Sequence, residues 1–228
     1  MKSCIDPKWE KIHAEKEWGQ YPTEYTIRFI ARNYYGVKDR SKVRMLDYGC
    51  GGGSHTWYLA REGFDVWAFD GAPSAIHNVE LRMQREKLNA HLAVCDALKL
   101  PYEDGFFDAV IDSYCVTTNT AVEGRKMYQE IYRILKEGGA LQTAQFGKNT
   151  DGYRTGTRIE EDTWTEMDNI QLHDVGKIHF TDKEEMENML KEIGFTNINV
   201  DTILYTDRGV KIEQIIACAY KPKKEQTI

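Results

Sequence analysis

No stretch of this 228-residue chain holds the roughly 20 consecutive apolar residues that a membrane-spanning helix needs. Cysteine is sparse: Cys4, Cys50, Cys95, Cys115 and Cys218, with no Cys-x-x-Cys pair. That pattern excludes a disulfide-stapled scaffold and fits free thiols in a reducing compartment. Met1 to Lys16 is polar and charged and lacks the apolar core of a secretion signal, so a cytoplasmic location is expected. Positive charge is in deficit, with 30 Lys and Arg against 36 Asp and Glu and a net charge of −6. Proteins that grip phosphate backbones draw affinity from Lys and Arg clusters, so neither DNA nor long RNA is expected as a partner. Internal repeats and low-complexity stretches are absent as well. What remains is an ordinary globular composition, 41% hydrophobic and 29% charged, sized for one α/β domain with additions.

The hydrophobic pattern supplies the outline. Residues 5–35 read as helical, with Ile27, Ile30, Ala31 and Tyr34 on one face and Pro22-Thr23 where a helix begins. From Val43 the chain alternates. Strands are expected at 43–48, 66–70, 91–95, 107–112 and 140–146, separated by helices at 54–61, 73–88 and 123–136. That rhythm means βαβ units and a mostly parallel sheet. After Phe146 it breaks. Residues 147–180 show no clean period, and a span that long inside a compact domain is expected to be a lid or substrate insertion. A capping box at Thr181–Glu184 opens a further helix that ends at Gly194. Two last strands, 198–205 and 214–220, are close enough in sequence to pair as an antiparallel hairpin. Residues 1–42 are expected as an N-terminal helical cap and 43–228 as the main domain.

The chemistry concentrates in Leu46-Asp47-Tyr48-Gly49-Cys50-Gly51-Gly52-Gly53, between an expected strand and an expected helix. Glycines there let backbone turn sharply and approach a ligand, and the helix N-terminus adds oriented N–H groups. Asp70 closes the second strand, at the distance where an acid accepts hydrogen bonds from ribose hydroxyls in dinucleotide folds. Its bland alternative is a helix cap, since Gly71-Ala72-Pro73 follows. A nicotinamide enzyme would show G-x-G-x-x-G, yet Ser54 stands at the third position. An acid ahead of the glycines also suits a cationic cofactor better than a pyrophosphate.

Asp47-x-Gly49-x-Gly51-x-Gly53 resembles the first motif of class I S-adenosylmethionine-dependent methyltransferases. Asp70, Cys95-Asp96-Ala97, Phe106–Ile111 and Glu130–Gly139 resemble that family's later motifs in order, most closely in its ubiquinone-biosynthesis-type branch. The resemblance covers residues 43–146. It implies a Rossmann-like, doubly wound, mostly parallel seven-stranded sheet with an antiparallel C-terminal hairpin, N-terminal helices and an insertion after strand five. It also implies S-adenosyl-L-methionine as cofactor, with Asp47, Gly49, Gly51, Asp70, Gly71, Asp96 and Ala97 around it. His55, just inside the first helix after the turn, is a further candidate for the methionine carboxylate or an ordinary surface histidine.

Ligands of such sheets bind beyond the carboxyl ends of the strands, so Asp112-Ser113-Tyr114 should line the reaction chamber, Asp112 and Ser113 toward the cofactor. Polar residues there point to a small polar acceptor, such as a sugar derivative, methylated on O or N. The sulfonium is already activated, so no catalytic dyad is required, and none is visible. His179 and Tyr114 are the candidate catalytic groups, His179 as base and its bland alternative a loop histidine. His173 and His179 lack a compact metal-ligand spacing, so no metal is expected. Trp18, Tyr21 and Tyr25 are candidates to close over the cofactor, Tyr21 foremost, or else to pack on the sheet. Two alternatives stay open at this point: a non-catalytic S-adenosylmethionine-binding protein and, less favoured by the glycine spacing, a nicotinamide-dependent oxidoreductase.

Overall fold

The computed structural model describes residues 6–16, 19–169 and 172–224; Cys4 and Trp18 lie outside them. Its centre is a sheet of β1 (Arg44–Tyr48), β2 (Asp65–Asp70), β3 (His91–Val94), β4 (Phe107–Ser113), β5 (Leu135–Gly147), β9 (Thr196–Asp207) and β10 (Val210–Tyr220). The first five run parallel in the order β3-β2-β1-β4-β5. β10 then pairs antiparallel with β5 and with β9. These are the seven expected strands with the expected C-terminal hairpin. β1 and β4 are buried along most of their length because helices cover both of their faces.

On one face, Leu46, Tyr48, Val110 and Leu141 meet Met127 and Ile131 of α5 (Ala121–Ile134) and Leu190 of α6 (Lys183–Ile193). On the other, Met45, Val66 and Ile111 meet Phe29 and Ile30 of α2 (Glu24–Tyr34) and Leu59 of α3 (Ser54–Arg61). α4 (Pro73–Glu86) packs Ile76, Val79 and Met83 beside Ala68 and Cys50.

Residues 5–35 form two helices, α1 (Pro7–Glu15) and α2, and the second opens where Pro22-Thr23 marks a helix start, with Thr23 as its N-cap. Two expectations shift. The capping box before α6 sits one residue later than the sequence suggests: Asp182 is the N-cap and Glu185 its partner. The insertion is not irregular throughout. It carries β6 (Thr157–Glu160), β7 (Thr163–Thr165) and β8 (Ile178–Thr181), and β8 joins the main sheet through Phe146–Phe180 and Gly147–Thr181. Met167, Leu172, Ile178 and Phe180 give it a small core of its own, which short strands without clean alternation did not announce. Among the described residues, no helix is long and apolar enough to cross a membrane.

Candidate active site

A cavity of about 300 Å³ opens at the carboxyl ends of β1, β2 and β4. Of the residues expected around the cofactor, Gly49, Gly51, His55, Asp70, Gly71, Ala97 and Ser113 line it, as does Tyr114. Asp47, Asp96, Asp112, Tyr21 and His179 do not.

The turn after β1 owes its shape to backbone that only glycine adopts freely. Gly51 has φ 48° and approaches the His13 ring so closely that a Cβ would stand 3.3 Å from Cε1. Asp70 braces this turn. One carboxylate oxygen accepts from the Gly51 amide and the other from the Ala72 amide, both at 2.9 Å. Asp70 therefore lines the cavity and holds the turn ahead of α4, whose N-cap is Ala72, so it is not the cap of that helix. Asp47 is turned inward, 2% exposed, and burial raises its pKa. The same carboxylate oxygen accepts from the Thr56 amide at 2.8 Å and from its hydroxyl at 2.6 Å. His55, on the next position of α3 toward the cavity, places Nε2 3.4 Å from the Thr23 amide, which donates to it, and 3.3 Å from the Thr23 hydroxyl. Burial lowers its pKa, against the pull of Asp47.

At the end of the cavity that Ala97 lines, Tyr48 donates its hydroxyl to the Ala97 carbonyl at 2.7 Å, fixing that peptide at the cavity wall. Asp96 accepts from the Leu98 amide at 2.9 Å and so shapes the turn behind Ala97.

Beyond β4, Asp112 is fully buried rather than facing the chamber. One of its oxygens accepts from the amides of Cys115 and Val116, the other from the Thr143 hydroxyl and the Gln145 side-chain amide. Burial pushes its pKa up to about 6, and those four donors oppose the shift. The carboxylate thereby fixes the turn that presents Ser113, Tyr114 and Cys115 to the cavity. Tyr114 holds φ 67°, a left-handed conformation a bulky residue adopts only when its surroundings impose it. Its ring stacks on Phe146 at 4.6 Å, and burial raises its pKa. Tyr25 of α2 reaches Ser113, hydroxyl to hydroxyl, at 3.2 Å. Tyr21 is 77% exposed and sits edge-on to Trp57 at the surface.

His179 belongs to the insertion's own framework. Its Nδ1 pairs with the Thr163 hydroxyl at 2.9 Å, and its carbonyl accepts from the Thr117 hydroxyl at 2.7 Å. Burial lowers its pKa. His173 pairs with the Met167 carbonyl at 3.1 Å. Among the described residues, none from 147–180 lines the cavity. The insertion is docked beside it, on β5 and on the first turn of α5, where Lys177 pairs with Glu123 at 2.8 Å.

The wall opposite the glycine turn comes instead from α1. Asp6, Trp9 and His13 lie on one face of it and line the cavity, joined by Gly19 and Thr23. The i, i+3, i+7 spacing of Asp6, Trp9 and His13 is the one signal of this wall in the sequence.

A profile of the methyltransferase domain matches residues 45–139. The ubiquinone/menaquinone biosynthesis C-methyltransferase of Vibrio parahaemolyticus is 28% identical over 186 residues, 69% of this chain and 66%, just under two thirds, of that enzyme. An uncharacterized methyltransferase of Synechocystis is 31% identical over 96 residues, covering 42% of this chain and 43% of that protein. Among solved structures, a SAM-dependent methyltransferase from Methanosarcina mazei superposes with a TM-score of 0.71 at 24% identity, over 86% of this chain and 98% of that one. Haemonchus contortus phosphoethanolamine N-methyltransferase 2, in complex with phosphomonomethylethanolamine and S-adenosylhomocysteine, gives 0.68 at 19% identity, over 94% of this chain and 56% of that one.

Proposed function

We propose that the chain is a class I S-adenosylmethionine-dependent methyltransferase and that it methylates an oxygen or nitrogen of a small polar metabolite. The observation that supports this is one cavity shared by two kinds of wall. Gly51, Asp70 and Ala97 form a side suited to a nucleoside. Thr23, Ser113, Tyr114 and Asn119 form a polar side beyond it.

When bound, S-adenosylmethionine supplies a methyl group already activated on a sulfonium. The protein's share is then orientation and exclusion of water. Asp70 carries a carboxylate to the ribose hydroxyls while its bonds to Gly51 and Ala72 hold it still. The Ala97 peptide, fixed by Tyr48, meets the adenine edge. Ser113 and Tyr114, set by Asp112 from behind, face the acceptor. Tyr114 acts there as a neutral hydroxyl that orients the acceptor, because burial disfavours its ionised form. A sugar derivative fits that wall, and the chain's negative charge disfavours a polyanion.

Two measurements test this. Calorimetric titration should show S-adenosylhomocysteine binding and little or no NAD binding; the reverse result would end the cofactor reading. Incubation with S-adenosylmethionine and fractionated small-metabolite pools should release S-adenosylhomocysteine only with a polar fraction. Turnover with apolar fractions alone would remove the acceptor class, and no turnover with any would favour a non-catalytic binding protein.

A further inference from the structure

α1 is a short helix of 9 residues that packs against α4 beside the cavity. Its N-cap is Asp6, whose side chain accepts from the Lys8 amide at 3.0 Å. Glu10 accepts from the Ser74 amide and hydroxyl at the start of α4. The Asn78 side chain donates to the His13 carbonyl at 2.9 Å. These bonds fix the backbone of His13 and aim its ring across the glycine turn. The ring is stacked on Trp9, centroids 5.8 Å apart, and the residue is only 6% exposed. Its Cε1 and Nε2 stand 3.3 and 3.7 Å from where a Cβ on Gly51 would lie.

The same Gly51 gives its amide to Asp70, so the imidazole and the carboxylate flank one short piece of backbone from two sides. Asp70 and Glu10 are the charges acting on the imidazole, yet burial outweighs them and favours its neutral form. A neutral imidazole offers one donor and one acceptor, whereas a carboxylate only accepts. A pair of adjacent hydroxyls is the ligand chemistry that such a set holds best.

We propose that His13 is a cofactor-binding residue, closing over the ribose from α1 with a hydrogen bond to one of its hydroxyls while Asp70 accepts from the other. The proposal rests on the cofactor reading above and assigns to α1 a selectivity for the ribose diol.

Calorimetry with S-adenosylhomocysteine and with its analogues lacking the 2′- or the 3′-hydroxyl tests it. The wild-type chain should bind each analogue more weakly than the parent compound. His13→Ala should weaken the parent by roughly fivefold, the worth of one hydrogen bond. It should leave the affinity for one of the two analogues unchanged. His13→Gln, which keeps a donor and an acceptor, should recover part of the loss. Glu10→Ala removes a tie between α1 and α4 and should weaken the parent less than His13→Ala does, sparing the same analogue. If His13→Ala weakens parent and both analogues alike, His13 is only part of the wall and the proposal is overturned. If the wild-type chain fails to bind S-adenosylhomocysteine at all, the cofactor reading falls and this inference with it.

Discussion

Asp47 accepts two hydrogen bonds from a single residue, Thr56, at 2.8 Å from the amide and 2.6 Å from the hydroxyl. The acid ahead of the glycines thus ties the end of β1 to the first turn of α3, holding the intervening turn in its shape. Asp47→Ala should cost about 2–3 kcal/mol, because a buried amide and hydroxyl lose their acceptor. Asp47→Asn should cost less, since an amide oxygen still accepts. Urea denaturation reads the stability, and titration with S-adenosylhomocysteine reads the site. Lost affinity at unchanged stability would show that Asp47 serves the ligand directly.

Asp112 holds four donors, so Asp112→Ala should cost about 3 kcal/mol or more. Its pH signature is separate. Folding raises this carboxyl's pKa to about 6 from an ordinary value near 3.9. The folded state therefore binds its proton more tightly than the unfolded state. The associated stability is fully present below the ordinary value and is lost as pH rises through about 6. Comparing denaturation midpoints from pH 4 to 7, Asp112→Asn should lack this component of the slope.

Gly53 caps α3 at φ 72°, and a Cβ there would stand 2.6 Å from Val79 Cγ2 of α4. Gly53→Ala should cost about 1–2 kcal/mol for the left-handed backbone. Overpacking adds about 1–3 kcal/mol. Pairing it with Val79→Ala should recover the packing part alone. Full recovery of thermal stability in the double variant would mean the backbone conformation carries no cost.

His55 acts in the opposite sense to Asp112. Burial lowers its pKa, so the folded state binds its proton less readily than the unfolded state. Its stability contribution is present above the ordinary value of about 6.5 and is lost as pH falls below it. His55→Gln should flatten the fall in melting temperature between pH 7.5 and 5.5. An unchanged slope would place the acid sensitivity elsewhere.

His179→Ala should leave the pH profile of methyl transfer unchanged, because the imidazole bonds to Thr163 inside the insertion and lines no part of the cavity. Hydrogen exchange in 157–165 should rise instead. Loss of turnover with normal exchange would restore His179 as the base.

The glycine turn and Asp70 were legible because their meaning is local. A strand, three glycines and an acid at the next strand end are read from about 25 residues of sequence. Gly194 as the stop of α6 was legible for the same reason, its φ of 114° being glycine territory. The wall formed by α1 was not. Asp6, Trp9 and His13 reach the cavity only because Glu10 and His13 meet Ser74 and Asn78, more than 60 residues downstream. Nor could alternation along β4 reveal that Asp112 turns toward Thr143 and Gln145 of β5 instead of toward a ligand. At a strand's end, side-chain direction is decided by neighbours that the pattern does not contain.

β10, which spans Val210–Tyr220, lies between β5 and β9. During vectorial synthesis this interior strand of the sheet therefore leaves the ribosome after both of its neighbours. Until then β5 presents a bare edge along residues 140–146, and β9 lacks the strand it pairs with. Unpaired edges of that kind are where nascent chains join the wrong neighbour. Stalling or proteolytic clipping just before residue 210 would release a chain with its sheet split open. Such a fragment should be a client for chaperones.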